Sequence, residues 1–544
     1  MQMKKIFMGG TILTMCGDEQ VEAVYIEDNT IKAKGSLKDC EKIAGQDYEV
    51  VNLEGKCMTP GFVDPHTHPM MLGMCKIWAD LSYPKVASID DLVNALKEHA
   101  KTLPPGEAIK GYSFDQRKFK EMRYPTAEDL DRVSTEVHVQ IMHTSGHCNI
   151  CNTKLLREIG ITDETPDPEG GAFGRDDKGR PNGPLFDSAN DFLSGLDGVR
   201  PANHGPNIHM PDNKKNLMER FEVGQDYFVK AGITTVNEVQ LTKQELNTYL
   251  EARDQGKLKM RMEMSYLSNY LDTVIDMGFN SRFGDDWLSI GSIKFYSDAS
   301  LLAGTANVSS GYLDSERHHG YNYHNADELI EILVKAHKNR LHTITHAQGD
   351  LAIEPIITAI ERAQREDPWK EAVHRIDHCG LPTEDQVVRM AKVGIYPVPQ
   401  PSMNYLYGDG VADGVGMELA QNYSPMAWFK KHGAPLVLSS DAPVTTPNPM
   451  EAIHACVTRK TIKGNILGAH QAISIQDGLL AYTINAAKSV RREHIGGSIE
   501  IGKLADFAVL DRNPLSLKAE EYDELRNISV METWLDGKKI YEKK

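Results

Sequence analysis

A chain of 544 residues that is 40% apolar and 25% charged is a folded globular protein rather than a disordered or fibrous one, and it is too long for one ordinary core. Its formal net charge of -17 argues against a nucleic-acid partner and an anionic membrane surface, and no run is long and apolar enough to span a bilayer. The eight cysteines are scattered, which suits a reducing, cytoplasmic setting better than a disulfide scaffold.

Along the chain, residues 6–15, 23–26 and 48–53 read as short β-rich runs between Gly, Asp and Asn turns. Lysines precede the first run, as in a signal peptide. Gly9 and Gly10 interrupt it and no small-residue cleavage site follows, so it reads as a strand. A similar pattern returns over 497–511 and 530–540. Two β-rich tails around one large middle predict a small composite β-sandwich built from 1–60 and 490–544.

The middle, 61–489, alternates strand and helix. After the run ending at His66, strands are expected over 232–239, 260–267, 290–297, 341–346, 373–378, 394–399 and 434–440, with a helix over 217–231. Leu351, Ile353, Ile356, Ile357 and Ile360 recur at helix spacing, with Asp350 placed to cap that helix. Eight such units with near-continuously apolar strands predict an α/β protein, a (β/α)8 TIM barrel. A barrel takes about 250 residues, so the stretch from about 78 to 211 reads as a long insertion after strand 1, overhanging the active face.

The chemistry begins in Thr59-Pro60-Gly61-Phe62-Val63-Asp64-Pro65-His66-Thr67-His68-Pro69. Residues i and i+2 of a strand share a face, so His66 and His68 converge, and imidazole is a common ligand for zinc-like ions. Alone, the pair reads equally as two solvated histidines. Further along, His346 and His378 close their strands, Asp441 follows the eighth, and Lys294 lies in Ser292-Ile293-Lys294-Phe295-Tyr296. Singly the histidines read equally as hydrogen-bonded core residues and Asp441 as a helix cap before Pro443. Together they predict one cavity at the C-terminal face of the barrel. Cys148 and Cys151 form a CxxC without a second pair, which reads as two buried thiols before a redox site.

With these residues the chain resembles the amidohydrolase superfamily, and within it amidohydrolase family 3, the YtcJ-like metal-dependent hydrolases. The resemblance covers nearly the whole length. It rests on Pro60 to His68, His147 with Asn152-Thr153, Ile293 to Asp298, His346 to Asp350, Arg375 to His378, Ser440 to Pro443 and the closing Gly502 to Asp506. It departs mildly at Asp298-Ala299 and Asn152-Thr153, where relatives carry Asp-Gly and Asn-Ser.

The resemblance implies one or two divalent ions, zinc first with iron or manganese as alternatives, held by His66, His68, Lys294, His346, His378 and Asp441. Lys294 is expected as a carbamate that bridges two ions, against a plain lysine that binds a substrate anion. The implied reaction is attack of a metal-bound hydroxide on the carbonyl carbon of a non-peptide amide or an N-acyl or N-formyl amine. Asp441 is the expected proton carrier. His147 is expected to bind the carbonyl or leaving group, Tyr112 and Asp115 to contact substrate, and Tyr405 and Tyr407 to line the pocket. The same site serves an ester, lactone or phosphoester hydrolase or a cyclic amidine deaminase. The non-enzyme alternative is a metal-free scaffold, which characteristically loses ligands that this chain retains. The expected partners are a small-molecule substrate and a second copy of the chain, since most soluble oligomers are homodimers.

Overall fold

A computed structural model of the protein describes residues 3–168, 171–194, 214–281, 283–313 and 318–544. The far end of the expected insertion, 195–211, lies outside these.

Seven parallel strands form the central sheet. In chain order they are β1 (Phe62–Thr67), β2 (Ile233–Leu241), β3 (Arg261–Leu267), β4 (Leu288–Tyr296), β5 (His342–Ala347), β6 (His374–His378) and β7 (Tyr396–Val398). They pair in sequence order, with a short antiparallel strand, Phe283–Gly284, against β4. Every residue of β1, β2, β5 and β6 is buried, as a sheet covered on both faces requires. The large apolar core lies between these strands and their covering helices.

The expected eighth strand, 434–440, is not one. It fills the gap between β7 and β1 as an extended segment held by single hydrogen bonds, Ser439 N to Pro399 O at 3.2 Å and Asp441 N to His66 O at 2.9 Å. Pro435 has no N–H to give, and the neighbouring groups are engaged elsewhere. Val63 N bonds Tyr482 O and Leu438 N bonds Ala481 O. The result is a nearly closed, seven-stranded TIM-like barrel.

The two chain ends build one eight-stranded sheet, joined where Cys57–Pro60 runs antiparallel to Phe507–Leu510. The hydrogen bonding thus gives a single sheet in place of the two layers of the expected sandwich. It curls strongly. Phe7 lies three strands away from Trp534, yet their rings are 5.0 Å apart over a shared apolar cluster. A helix the sequence reading lacked, Leu37–Ala44, covers the other face.

The insertion after β1 builds its own six-stranded sheet and apolar cluster. The chain leaves β1 through α1 (Pro69–Ile77), which packs on α2 (Lys214–Lys230). A Cβ on Gly73 would lie 1.7 Å from Arg220 O, and one on Gly224 would lie 2.0 Å from Pro69 O. Only glycine lets the two helix backbones touch. One cap differs from expectation. Gly349 caps α3 (Asp350–Glu366), while Asp350 is its first residue and accepts from Ser309 N at 2.9 Å.

Candidate metal centre and active site

Strand β1 delivers His66 and His68 to one side, facing Asp441. His66 Nε2 lies 3.4 Å and His68 Nε2 3.3 Å from Asp441 Oδ1. Donors about 2.0–2.2 Å from a tetrahedral ion sit about 3.3–3.6 Å apart, so these spacings are those of one cation's donor set, and all three atoms lie within 4.8 Å of one another. The opposite ring nitrogens face carboxylates. His66 Nδ1 donates to Asp377 Oδ2 at 2.5 Å, and His68 Nδ1 faces Glu238 Oε1 at 3.4 Å. Such a carboxylate fixes the tautomer that leaves Nε2 a lone pair for a metal. Asp441 reaches the site from the left-handed region, at φ 54°, a conformation that non-glycine residues adopt at a cost and that clusters at functional sites.

The electrostatics match. Burial, and then the nearby Lys294 and His68, hold His66 well below its ordinary value. Burial also opposes charge on His68, but the Asp441 and Glu238 carboxylates outweigh it and lift His68 to about 9. A cation at this point answers the same two carboxylates that a proton on His68 answers.

Three further groups converge beside this set. The His378 ring is 5.0 Å from that of His66 and 4.3 Å from that of His346. His378 Nδ1 donates to Gln400 Oε1 at 2.7 Å, and His346 Nε2 donates to Ala299 O at 2.8 Å. The free lone pairs are therefore Nε2 of His378 and Nδ1 of His346. Lys294 is wholly buried, and its Nζ has no hydrogen-bond partner among the described residues. It lies 4.8 Å from the centre of the Tyr296 ring, and burial pulls it down to about 8 despite Asp377 and Asp441. An orphaned buried amine beside two imidazole lone pairs fits a further ligand, since a buried amine left unpaired is costly.

The cavity at these residues holds about 40 Å³, room for ions and a few waters. Its wall includes Ser145, His147, Gln240, Tyr296 and Met403. His147 comes from the insertion sheet, and its Nδ1 bonds Asp187 Oδ1 at 2.8 Å. Asp187 also accepts from Tyr323 OH at 2.9 Å and from Tyr321 OH. Tyr112 and Asp115 are not on this wall. They line an adjoining cleft of about 1160 Å³, where Tyr112 OH donates to Thr144 O at 3.1 Å and Asp115 is gripped by Arg117 at 2.9 and 3.0 Å. Tyr407 lines the same cleft, whereas Tyr405 receives a hydrogen bond from Arg526 at 2.5 Å away from the metal cavity. The Ala299 methyl packs in an apolar cluster with Leu267, Tyr296 and Tyr323. Cys148 and Cys151 sit in separate apolar clusters, so the CxxC cannot close on itself.

Sequence reasoning missed Glu238, Asp377, Gln400 and Asp187. A signal existed for two of them. A carboxylate inside an apolar parallel strand, as Glu238 is in β2, has no business there unpaired, and Asp377 directly precedes a ligand histidine. Asp187 and Gln400 carried none, because a polar residue where a strand ends or a helix begins is ordinary.

A family model described as the amidohydrolase family matches residues 49–541. The N-substituted formamide deformylase of Arthrobacter pascens is 26% identical over 96% of this chain and 95% of its own length. A Bacillus subtilis (strain 168) protein named as the amidohydrolase YtcJ is 28% identical over 99% of this chain and 100% of its own. Among solved structures, an uncharacterised metal-dependent hydrolase from Pyrococcus horikoshii OT3 superposes with a TM-score of 0.76 at 25% identity, covering 95% of this chain and 99% of that one.

Proposed function

This chain belongs to the amidohydrolase family, and on that premise we propose that it hydrolyses the carbon–nitrogen bond of a non-peptide amide, an N-acyl or N-formyl amine. The observation that carries the reading is the convergence of His66 Nε2, His68 Nε2 and Asp441 Oδ1 at metal-ligand spacing. The relative named as a formamide deformylase favours the amide bond over an ester or phosphoester.

His66, His68 and Asp441 would hold one divalent ion, with zinc the first choice for this nitrogen-rich set. His346, His378 and Lys294, the lysine as a carbamate, would hold a second. Bound there, such an ion polarises a carbonyl and makes water acidic enough to serve as a nucleophile near neutral pH.

The chain's own residues do the rest. Asp377 and Glu238 hold the two imidazoles so that their Nε2 atoms face inward. Asp441 Oδ2 has no hydrogen-bond partner among the described residues, so it is free to take the proton from attacking water and hand it to the departing nitrogen as the C–O bond forms and the C–N bond breaks. His147, on the cavity wall with Nδ1 anchored on Asp187, is left with Nε2 to bind the carbonyl oxygen or the leaving nitrogen. The eight free cysteines favour a reducing, cytoplasmic location. No helix among the described residues is long and apolar enough to cross a membrane.

The test is metal analysis of the purified chain together with a panel of N-formyl and N-acyl amines against lactones, phosphotriesters and amino-heterocycles. Amine release that stops on chelation and returns with zinc supports the reading. A metal-replete protein that cleaves only the other bonds overturns it.

A further inference from the structure

The cleft beside the metal cavity has the wrong sign for this protein. Acidic side chains outnumber basic ones 77 to 60 in the chain, yet among the described residues five cations line this cleft, Lys76, Lys118, Lys230, Arg526 and Lys543, against two carboxylates, Asp80 and Asp115. Both carboxylates are already engaged, Asp115 by Arg117 and Asp80 by Lys85 at 3.4 Å.

The cations converge rather than scatter. Lys76 on α1 and Lys230 on α2 both lie against the Tyr227 ring, at 5.0 and 5.5 Å from its centre. The glycine contact that locks the two helices together fixes that approach. Neither lysine has a carboxylate partner among the described residues. Across the cleft Lys118 lies 5.5 Å from the Tyr407 ring centre and Arg526 4.4 Å from that of Tyr405. Lys118 shares Asp115 with Arg117, at 3.9 Å, which leaves the cleft short of negative charge, and like charges held close together focus a positive field into the space between them.

The cleft abuts the catalytic cavity. Val444 lines both. The dividing wall is made by Tyr407 OH, which bonds Thr144 Oγ1 at 2.9 Å and Val444 O at 3.1 Å, and behind Thr144 stands Ser145 on the metal cavity. The second neighbouring chamber, about 540 Å³ on the far side of His147, has no lysine or arginine in its lining among the described residues.

We propose that the cleft receives an anionic group of the substrate, so that the amide cleaved at the metal centre carries a carboxylate or phosphate away from its scissile bond. The inference rests on the hydrolase reading for the word substrate, but the anion site stands on its own geometry and is tested without turnover.

Trp78 lines the cleft and serves as the reporter. The full-length, metal-replete protein is titrated with succinate, and in a second arm with inorganic phosphate, while tryptophan fluorescence is followed. The expected result is a saturable change that Trp78→Phe abolishes, that added salt weakens, and that needs at least tenfold more ligand in the Lys76→Glu/Lys230→Glu double variant. The stronger arm tells which anion is preferred. Both lysines are exposed, and circular dichroism checks that the double variant is folded. No saturable change in either arm, or equal binding by wild type and a folded double variant, overturns the proposal. In turnover, N-formyl amino carboxylates should have a higher kcat/KM than their methyl amides, and the double variant should shrink that ratio. Saturable anion binding without any amide turnover would keep the cleft assignment and sink only the hydrolase reading.

Discussion

Strands β5 and β6 each carry a histidine near both ends, His342 and His346 on one, His374 and His378 on the other, and the two ends treat the same side chain in opposite ways. At the N-terminal end the rings are fully engaged. His337 Nε2 donates to Asp367 O at 2.8 Å, so its Nδ1 accepts from His374 Nε2 at 2.9 Å, and His374 Nδ1 in turn accepts from Thr343 OH at 2.8 Å. His342 stacks on Trp369 at 4.6 Å and accepts from Val373 N at 2.9 Å. At the C-terminal end each ring is bonded or anchored through one nitrogen, and the other faces the cavity. A histidine with every nitrogen matched is architecture, whereas one with a lone pair aimed at other lone pairs is a ligand.

The largest way to break this contrast is to remove the acid that only the C-terminal end has. Asp441→Asn should lower kcat by about a thousandfold, ~4 kcal/mol, because the proton carrier is lost from the reaction. The chain should keep its fold as followed by thermal unfolding. Near-wild-type kcat in metal-replete protein would take Asp441 out of that role.

Next in size are the carboxylates behind the rings. Glu238→Gln keeps the shape of the side chain and removes the charge facing His68 Nδ1. It should weaken divalent-ion affinity about 10- to 100-fold, read by competition with a chromophoric chelator. Asp377→Asn should do the same through His66. It should also cost stability, because Asp377 pairs with the buried Arg375 at 2.6 and 2.9 Å. Unchanged affinity in both would mean that the rings are oriented by packing alone.

These two carboxylates show where the sequence stopped being legible. His66, His68, His346, His378 and Asp441 could be found because strand ends in a barrel share one face, so a linear pattern of polar terminators becomes a cluster. Glu238 and Asp377 stood out as carboxylates in apolar strands but their roles did not, because which carboxylate stands behind which ring depends on pairs such as His66 and Asp377, 311 residues apart. Likewise the run 434–440 has a strand's composition, but its edges meet partners that only the closed fold supplies. Tyr112 and Asp115 were placed near the chemistry by their position in the insertion. The folded chain puts them one chamber further out, because Asp115 turns to Arg117.

At the other end of the same strands the expected effects concern stability rather than turnover. Thr343→Val is nearly isosteric and deletes the hydroxyl that donates to His374 Nδ1, leaving a buried acceptor unmatched. It should cost about 1–2 kcal/mol in urea unfolding with metal content and kcat retained. Loss of bound metal would show that the two histidine groups are one system.

The smallest effect separates the ends by pH. Burial, and then His337, push His374 down to about 3 from an ordinary value of 6.5, so the folded chain keeps this ring neutral while the unfolded chain protonates it below about 6.5. The unfolded state therefore binds more protons across that window, and stability falls as pH drops from about 6.5 towards 3. His374→Gln removes that titration from both states. Its stability should fall less on acidification than that of wild type, by about 1 kcal/mol between pH 6 and pH 5. The unfolded chain protonates the ligand histidines in this range too, but they sit roughly 13 Å away along the strand, far enough for their contribution to cancel in the difference. Parallel curves for the two proteins would mean that His374 is already charged in the folded chain, and the tautomer chain from Thr343 to Asp367 would then be wrong.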